Sequence, residues 1–126
     1  MSTALERLFS KDGAQPLTGE SIDGFIAGPG QRLVVFTGDP KQRPEAQDVA
    51  VVARELRRER PELSIGVVGS AEETAVRPRF NIDTVPSVLF IKNGRVVSTV
   101  SKVQDWVVYA RTAALVFGRS LKEATS

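Results

Sequence analysis

Apolar residues recur along this chain with helical spacing in four segments, which predicts four amphipathic helices. The apolar positions are Leu5, Leu8 and Phe9; Ile22, Phe25 and Ile26; Val49, Val52, Ala53 and Leu56; and Trp106, Tyr109, Ala110, Ala113, Val116 and Phe117. We expect the third helix to begin near Pro44 and to end by Pro61, because proline fits the first helical turn but not the interior. The last helix should stop at Gly118, and Trp106 is expected to pack either in the core or as a half-buried lid over it.

Shorter apolar runs predict the strands. The first predicted strand ends at Leu17, and the other four span residues 33–36, 63–68, 87–91 and 96–100. The continuous run at 33–36 is typical of a strand covered on both faces in a parallel sheet. Asn93-Gly94 separates the last two runs, and this dipeptide accepts positive φ at both turn positions, so we predict a β-hairpin there.

Two short motifs predict where further helices begin. Ser70-x-x-Glu73 and Ser101-x-x-Gln104 have the spacing of a capping box, in which the two side chains bond each other's backbone N–H groups. A fourth helix is therefore expected after Ser70, and the last helix soon after Ser101. Pro78 should kink or stop the fourth helix, because proline lacks the N–H that a helix interior needs.

The order of elements indicates an α/β protein with a central mixed sheet flanked by helices on both faces. A chain of 126 residues suits one domain, and we assign residues 1–126 to it with a frayed tail at about 119–126. Apolar residues make up 41% and charged residues 25% of the chain, as in ordinary globular proteins.

Charge and hydropathy exclude several classes of partner. The net charge is only +2, which gives no general attraction to nucleic acid or to anionic membranes. Arg54, Arg57 and Arg58 are interleaved with acidic residues and lack aromatic stacking neighbours, so we expect no nucleic-acid partner. No run is long enough to cross a membrane, and residues 1–9 do not have the pattern of a secretory signal. We therefore expect a cytoplasmic protein with no stable membrane insertion.

The chain contains no cysteine and no histidine, and this restricts its chemistry. Thiol–disulfide exchange, cysteine hydrolysis and most zinc mechanisms lose the groups on which they depend. An enzyme using lysine or carboxylates remains formally open, but no phosphate-binding glycine loop or Ser-x-x-Lys motif stands out. We expect no catalytic residues, no cofactor and no metal site.

Two stretches resemble thioredoxin. Residues 33–44 are similar to the strand and loop that lead into its active-site helix, and residues 77–94 to its kinked helix, cis-proline turn and hairpin. The resemblance runs from about Ser21 to Phe117 and implies a thioredoxin-like fold with a cis bond before Pro86. Thioredoxins carry two redox cysteines before that helix, and Lys41 and Pro44 occupy the matching positions here.

A narrower resemblance lies within residues 38–48. This stretch is similar to the cysteine-less Asp-Pro-Lys-x-x-Pro-Glu-x-x-Asp pattern of the HyaE/HupG-type hydrogenase expression proteins. The matching residues are Asp39, Pro40, Lys41, Pro44, Glu45 and Asp48. The resemblance implies a non-catalytic accessory chaperone in nickel–iron hydrogenase maturation. It implies binding to the small-subunit precursor and its twin-arginine signal peptide before export, with other hydrogenase accessory proteins as further candidate partners.

Seven residues are candidates for binding such a peptide or partner. They are Asp39, Lys41, Glu45, Asp48, Asp83, Val85 and Pro86. The backbone before Pro86 would pair with an extended segment as an added strand, over an apolar floor of Val85 and Pro86.

The charged residues of this set, and Arg43 beside them, can each be interpreted in two ways. Carboxylates would hold arginine in a forked geometry, although acids in a first helical turn also stabilise the helix dipole without any ligand. Lys41 and Arg43 would repel arginine, so they would pair with nearby acids or with carboxylates of the partner, and a solvated loop is the simpler reading of Arg43. A structural or dimerising module unrelated to hydrogenase, using the sheet edge or Trp106, is the alternative function.

Overall fold

The computed structural model of the protein describes residues 2–118, so the predicted frayed tail lies outside the described residues. The helices are α1 (Ala4–Ser10), α2 (Ile22–Ala27), α3 (Glu45–Glu59), α4 (Ser70–Val76) and α5 (Trp106–Phe117). The strands are β1 (Gln15–Leu17), β2 (Gln31–Phe36), β3 (Ser64–Val68), β4 (Ser87–Lys92) and β5 (Arg95–Ser101). A short 3-10 helix, Arg77–Phe80, follows α4.

The five strands form one mixed sheet in the order β1-β3-β2-β4-β5. Strand β3 runs parallel to β1 and to β2, whereas β4 is antiparallel to β2 and to β5. Asn93 and Gly94 both have positive φ, 50° and 84°, so the predicted hairpin between β4 and β5 is confirmed. A register shift between Phe90 and Ile91 interrupts this hairpin.

Strand β2 is buried on both faces, as its continuous apolar run predicts. Leu33 and Val35 belong to a core cluster with residues of α1, α3 and α5. Val34 and Phe36 belong to a second cluster with residues of α2 and α4. All four side chains are fully buried. The predicted layering of a mixed sheet between helices on both faces is therefore confirmed.

The capping-box prediction at Ser70 is wrong. Ser70 is the first residue of α4, the residue before it is Gly69, and no side chain caps this helix end. The Glu73 carboxylate instead accepts a hydrogen bond from the N–H of Gly38, at 3.2 Å, in the loop after β2. A long-range contact has therefore replaced the local one that the spacing suggested.

The capping-box prediction at Ser101 is also wrong, because β5 extends beyond its apolar run and includes Ser101. Ser101 is still the last residue of β5, and α5 begins at Trp106 after Asp105, with no side-chain cap. The Gln104 side chain donates to the Ser101 carbonyl, at 2.8 Å, and so stabilises the connection between strand and helix.

Pro78 behaves as expected, and Trp106 is only partly buried. Helix α4 ends at Val76 and continues as the 3-10 helix that contains Pro78. Trp106 is 40% exposed, which excludes a core position and leaves the half-buried alternative. It lies in the first turn of α5, and the buried face of that helix starts one turn later, at Tyr109. Within residues 2–118, no helix combines the length and apolar character needed to cross a bilayer.

Candidate functional site

The loop after β2 and the turn before β4 lie directly against each other. Gly38, in the loop at residues 37–44, has φ +73°, a conformation that side chains other than glycine rarely adopt. A Cβ atom built on Gly38 would lie 2.9 Å from Arg43 Cδ and 3.1 Å from Val85 Cγ2. The backbone angle therefore favours glycine where the two segments meet, and a larger residue would also push Arg43 and Val85 aside.

Asp39 organises the loop through local hydrogen bonds. Its carbonyl accepts the N–H groups of Gln42 and Arg43, at 3.1 and 2.8 Å. Its carboxylate oxygen Oδ1 accepts the N–H of Lys41, at 2.9 Å, in the manner of an Asx turn. Pro44 then directly precedes α3, as its position predicts. The Asp39 carboxylate is thus engaged by the loop's own backbone.

The turn before β4 contains a cis peptide bond between Val85 and Pro86, which confirms the geometry predicted for Pro86. The Arg77 guanidinium closes the turn by donating to the carbonyls of Ile82 and Asp83. The Pro86 carbonyl accepts the N–H of the residue opposite it, Lys102, at 2.9 Å.

Three polar groups at this turn have no hydrogen-bond partner among residues 2–118. They are the backbone N–H and C=O of Val85 and the buried hydroxyl oxygen Oγ1 of Thr84. Buried polar groups in native proteins are usually paired with protein or with water, and groups left open beside a cavity are available to a ligand.

A groove of about 400 Å³ runs beside the turn. It is lined by Arg43, Glu45, Arg77, Asp83, Thr84, Val85, Pro86, Lys102 and Val103. Four of the seven candidates from the sequence therefore meet here: Glu45, Asp83, Val85 and Pro86. Asp39, Lys41 and Asp48 are not among its lining residues.

Lys102 and Val103 are lining residues that sequence reasoning missed. A simple hairpin counted from Asn93-Gly94 places Ser101 opposite Pro86. The register shift inside the hairpin moves the pairing by one, so that Ser101 pairs with Ser87 and Lys102 faces Pro86. Nothing in the apolar pattern signals that shift.

The binding candidates from the sequence do not include Arg43, Arg77 or Thr84. A solvated loop is the simpler reading of Arg43, with contact to carboxylates of a partner as its alternative, and this exposed residue lines the groove. Arg77 and Thr84 carry no motif of their own, and only the folded turn brings them to the site.

The groove carries charges of both signs that do not pair with each other. Glu45 and Asp83 supply two carboxylates, and Arg43, Arg77 and Lys102 supply three cations. The three ion pairs found within residues 2–118 all lie elsewhere, at Arg54–Asp12, Arg58–Glu55 and Arg79–Asp23.

Tyr109 supports the wall of the groove from inside the core. Its fully buried side chain donates its hydroxyl proton to the Lys102 carbonyl, at 3.1 Å, and accepts the Gln104 N–H, at 3.0 Å. Burial raises the pKa of the Tyr109 hydroxyl above its ordinary value of 10.0, and the Gln104 hydrogen bond opposes that shift.

The model of one protein family, described as "Hydrogenase-1 expression protein HyaE", matches residues 4–109. The chain belongs to the HyaE family. The match includes the loop after β2, the cis-proline turn and all the residues that line the groove. Membership of the HyaE family confirms the narrower resemblance in the sequence and supports a role in hydrogenase maturation.

Two relatives agree with the HyaE assignment. The hydrogenase expression/formation protein HupG of Rhizobium leguminosarum bv. viciae is 38% identical over 115 residues, covering 86% of this chain and 77% of that protein. The hydrogenase expression/formation protein HoxO of Azotobacter vinelandii is 30% identical over 117 residues, covering 92% of this chain and 79% of that protein.

A solved structure confirms the fold. A single-residue mutant of thioredoxin from Halobacterium salinarum NRC-1 superimposes with a TM-score of 0.72 over 93% of this chain and 96% of that chain, at 15% identity. The HyaE-family chain therefore has the predicted thioredoxin-like fold, without the cysteines of thiol–disulfide chemistry.

Proposed function

We propose that this HyaE-family protein is a non-catalytic, cytoplasmic chaperone of hydrogenase maturation. In this proposal it binds the small-subunit precursor of a nickel–iron hydrogenase, including its twin-arginine signal peptide, before export. Other hydrogenase accessory proteins are further candidate partners. The absence of cysteine and histidine from the whole chain supports a binding role, because the usual nucleophiles of this fold are missing.

The observation that carries the proposal is the unpaired backbone of Val85. Among the described residues, neither its N–H nor its C=O makes a hydrogen bond, and the residue borders the groove. An extended segment could pair with both groups as an added strand, which gives affinity without requiring a particular sequence. Val85 and Pro86 would form the apolar floor beneath it.

Glu45 and Asp83 supply the specificity for arginine in this proposal. Both carboxylates line the groove, and neither forms an ion pair within residues 2–118. Both residues are exposed, so each contact with arginine should contribute about 0.2–1 kcal/mol. Asp48 lies three residues beyond Glu45 on α3, outside the lining of the groove, and would contribute only to a segment that extends beyond that lining.

Isothermal titration calorimetry with the signal peptide tests this function. We expect binding that weakens when both peptide arginines become glutamine. The substitutions Glu45→Gln and Asp83→Asn should weaken binding of the arginine peptide and leave binding of the glutamine peptide unchanged. Glu62→Gln is the matched control, because Glu62 is exposed and does not line the groove.

Two results would count against the proposal. One is the absence of detectable heat at high micromolar peptide. The other is binding that is equal for the arginine and glutamine peptides.

A dimerising module is the second candidate function, and the outer strand favours it. Strand β5 lies at the edge of the sheet and carries Val96 and Val97, which are 38% and 56% exposed. Edge strands with exposed apolar residues can pair with a second copy. Light scattering on the purified protein distinguishes the two functions, because the chaperone proposal does not require a stable dimer.

A further inference from the structure

Lys102 is held in an unfavourable backbone conformation at the wall of the groove. Its φ is +62°, a conformation that residues other than glycine rarely adopt. Two hydrogen bonds maintain it: the Lys102 N–H donates to the Pro86 carbonyl at 2.9 Å, and its own carbonyl accepts the Tyr109 hydroxyl at 3.1 Å. Strained residues that the surrounding structure holds in place are often part of a binding site.

Arg43 lines the same groove from the loop after β2. Its N–H is fixed by the Asp39 carbonyl, and its side chain passes over Gly38, where no Cβ atom intervenes. The backbone of both Arg43 and Lys102 is therefore positioned by hydrogen bonds, and both residues line one cavity.

These two cations differ from the third cation of the groove. The guanidinium of Arg77 already donates to the carbonyls of Ile82 and Asp83. The charged ends of Arg43 and Lys102 make no hydrogen bond or ion pair within residues 2–118. The charge of the groove thus includes two cations with no evident use inside the protein.

We propose that Arg43 and Lys102 form a carboxylate-binding subsite for an aspartate or glutamate side chain of the bound segment. This inference rests on the proposed function, since it requires an extended segment paired with Val85. It adds that the groove recognises a segment of mixed charge. A basic residue of that segment contacts Glu45 and Asp83, and an acidic residue contacts Arg43 and Lys102.

The charge balance of the groove favours this partner over a purely basic one. Three cations against two carboxylates give the lining a net charge of +1, from Arg43, Arg77, Lys102, Glu45 and Asp83. A segment carrying only arginines would leave Arg43 and Lys102 without a partner, whereas one that also carries a carboxylate would be attracted by these unpaired cations.

Four end-capped heptapeptides separate the contribution of a peptide arginine to binding from that of a peptide glutamate. They share a threonine- and valine-rich sequence and carry Arg and Glu, Arg and Gln, Gln and Glu, or two Gln residues at positions two apart. Residues two apart lie on the same side of an extended strand. Capped ends restrict the negative charge to the glutamate side chain. Titration into isotopically labelled protein, followed by amide chemical shifts, detects binding into the millimolar range.

We expect the peptides to shift the amide signals of Thr84, Val85 and Lys102. Replacing peptide Glu by Gln should weaken binding about two- to fivefold, the effect of an exposed ion pair, and less at high salt. In the Lys102→Gln and Arg43→Gln variants, the ratio of affinities for the Glu and Gln peptides should fall towards one. Lys92→Gln is the matched control, because Lys92 is exposed at the far end of the hairpin, and it should retain the full factor.

The inference is overturned if Glu and Gln peptides bind wild type equally, or if the Glu preference persists in both groove variants. It is also overturned if no peptide shifts the groove amides. A Glu preference without any Arg preference would instead reject binding of the twin-arginine segment and leave the carboxylate subsite standing. An Arg preference without any Glu preference would reject the carboxylate subsite and leave binding of the twin-arginine segment standing.

Discussion

Gly38 lies so close to Val85 that a side chain would be crowded between them. A Cβ atom on Gly38 would lie 3.1 Å from Val85 Cγ2, closer than nine in ten real contacts of this kind. The loop after β2 is therefore seated against the cis-proline turn by the absence of a side chain. The N–H of Gly38 is also bonded to the Glu73 carboxylate, so this glycine joins three segments: the loop, the turn and α4.

Gly38→Ala should lower both stability and peptide binding. The new methyl group would meet Arg43 and Val85, and the φ of +73° would be strained, so we expect a loss of about 1–3 kcal/mol in the free energy of unfolding. Urea denaturation measures the loss.

Gly24→Ala is the matched control for Gly38→Ala. Gly24 lies in α2 with nothing within 4 Å of a built Cβ, and its substitution should be neutral or stabilise by up to about 1 kcal/mol. Equal stabilities of the two variants would contradict the close packing of loop and turn.

Lys102→Gly should raise stability while it weakens the binding of an acidic peptide. Glycine adopts positive φ without strain, so the free energy of unfolding should rise by up to about 1 kcal/mol after its greater unfolded-state entropy is subtracted. Lys92→Gly, in a strand, should instead destabilise by about 0.5–1 kcal/mol. Thermal unfolding of both variants tests the difference, and destabilisation by Lys102→Gly would refute the strain assigned to Lys102.

Tyr109→Phe should change the response of stability to alkaline pH. The folded state raises the pKa of the Tyr109 hydroxyl above 10.0, so the protonated, neutral form is the one that folding favours. The stability that this contributes is fully present below the unfolded pKa. It is lost as pH rises from about 10 through the folded pKa.

Urea denaturation between neutral pH and pH about 11 tests the Tyr109 prediction. At neutral pH, Tyr109→Phe should cost about 1–2 kcal/mol, because the Lys102 carbonyl and the Gln104 N–H both lose their partner. Above pH 10 the difference between the two proteins should narrow. A gap that stays constant with pH would mean that Tyr109 does not titrate differently on folding.

The sequence predicted well those elements that local pattern determines. The strand at 33–36 and the Asn93-Gly94 hairpin followed from burial and turn chemistry, and the cis bond at Pro86 followed from the resemblance to thioredoxin. Both capping boxes failed, because a three-residue spacing carries no information on where the preceding strand ends or on distant partners such as Gly38.

The groove was only half predictable for the same reason. Glu45, Asp83, Val85 and Pro86 were candidates from motif and resemblance, and the structure brings them to one cavity. Lys102 enters that cavity only through a one-residue register shift in the hairpin. Asp39 was a candidate for holding arginine or for an ordinary turn role. Its carboxylate accepts a backbone N–H of its own loop, a use that the spacing does not distinguish from ligand binding.

Arg60 offers a test of the packing around α5. The side chain is 2% exposed, its guanidinium lies 5.6 Å from the Phe117 ring centroid, and its Nε and Nη1 have no hydrogen-bond partner within residues 2–118. Replacing a buried charge by an apolar group of similar size is often neutral or stabilising. Arg60→Met should therefore leave the free energy of unfolding unchanged or raise it by about 1–2 kcal/mol.

Arg60→Ala should lower the free energy of unfolding by about 2 kcal/mol, because the packing over Phe117 is lost. Urea denaturation of the pair separates charge from volume, and equal destabilisation by both substitutions would show that the guanidinium itself stabilises the fold.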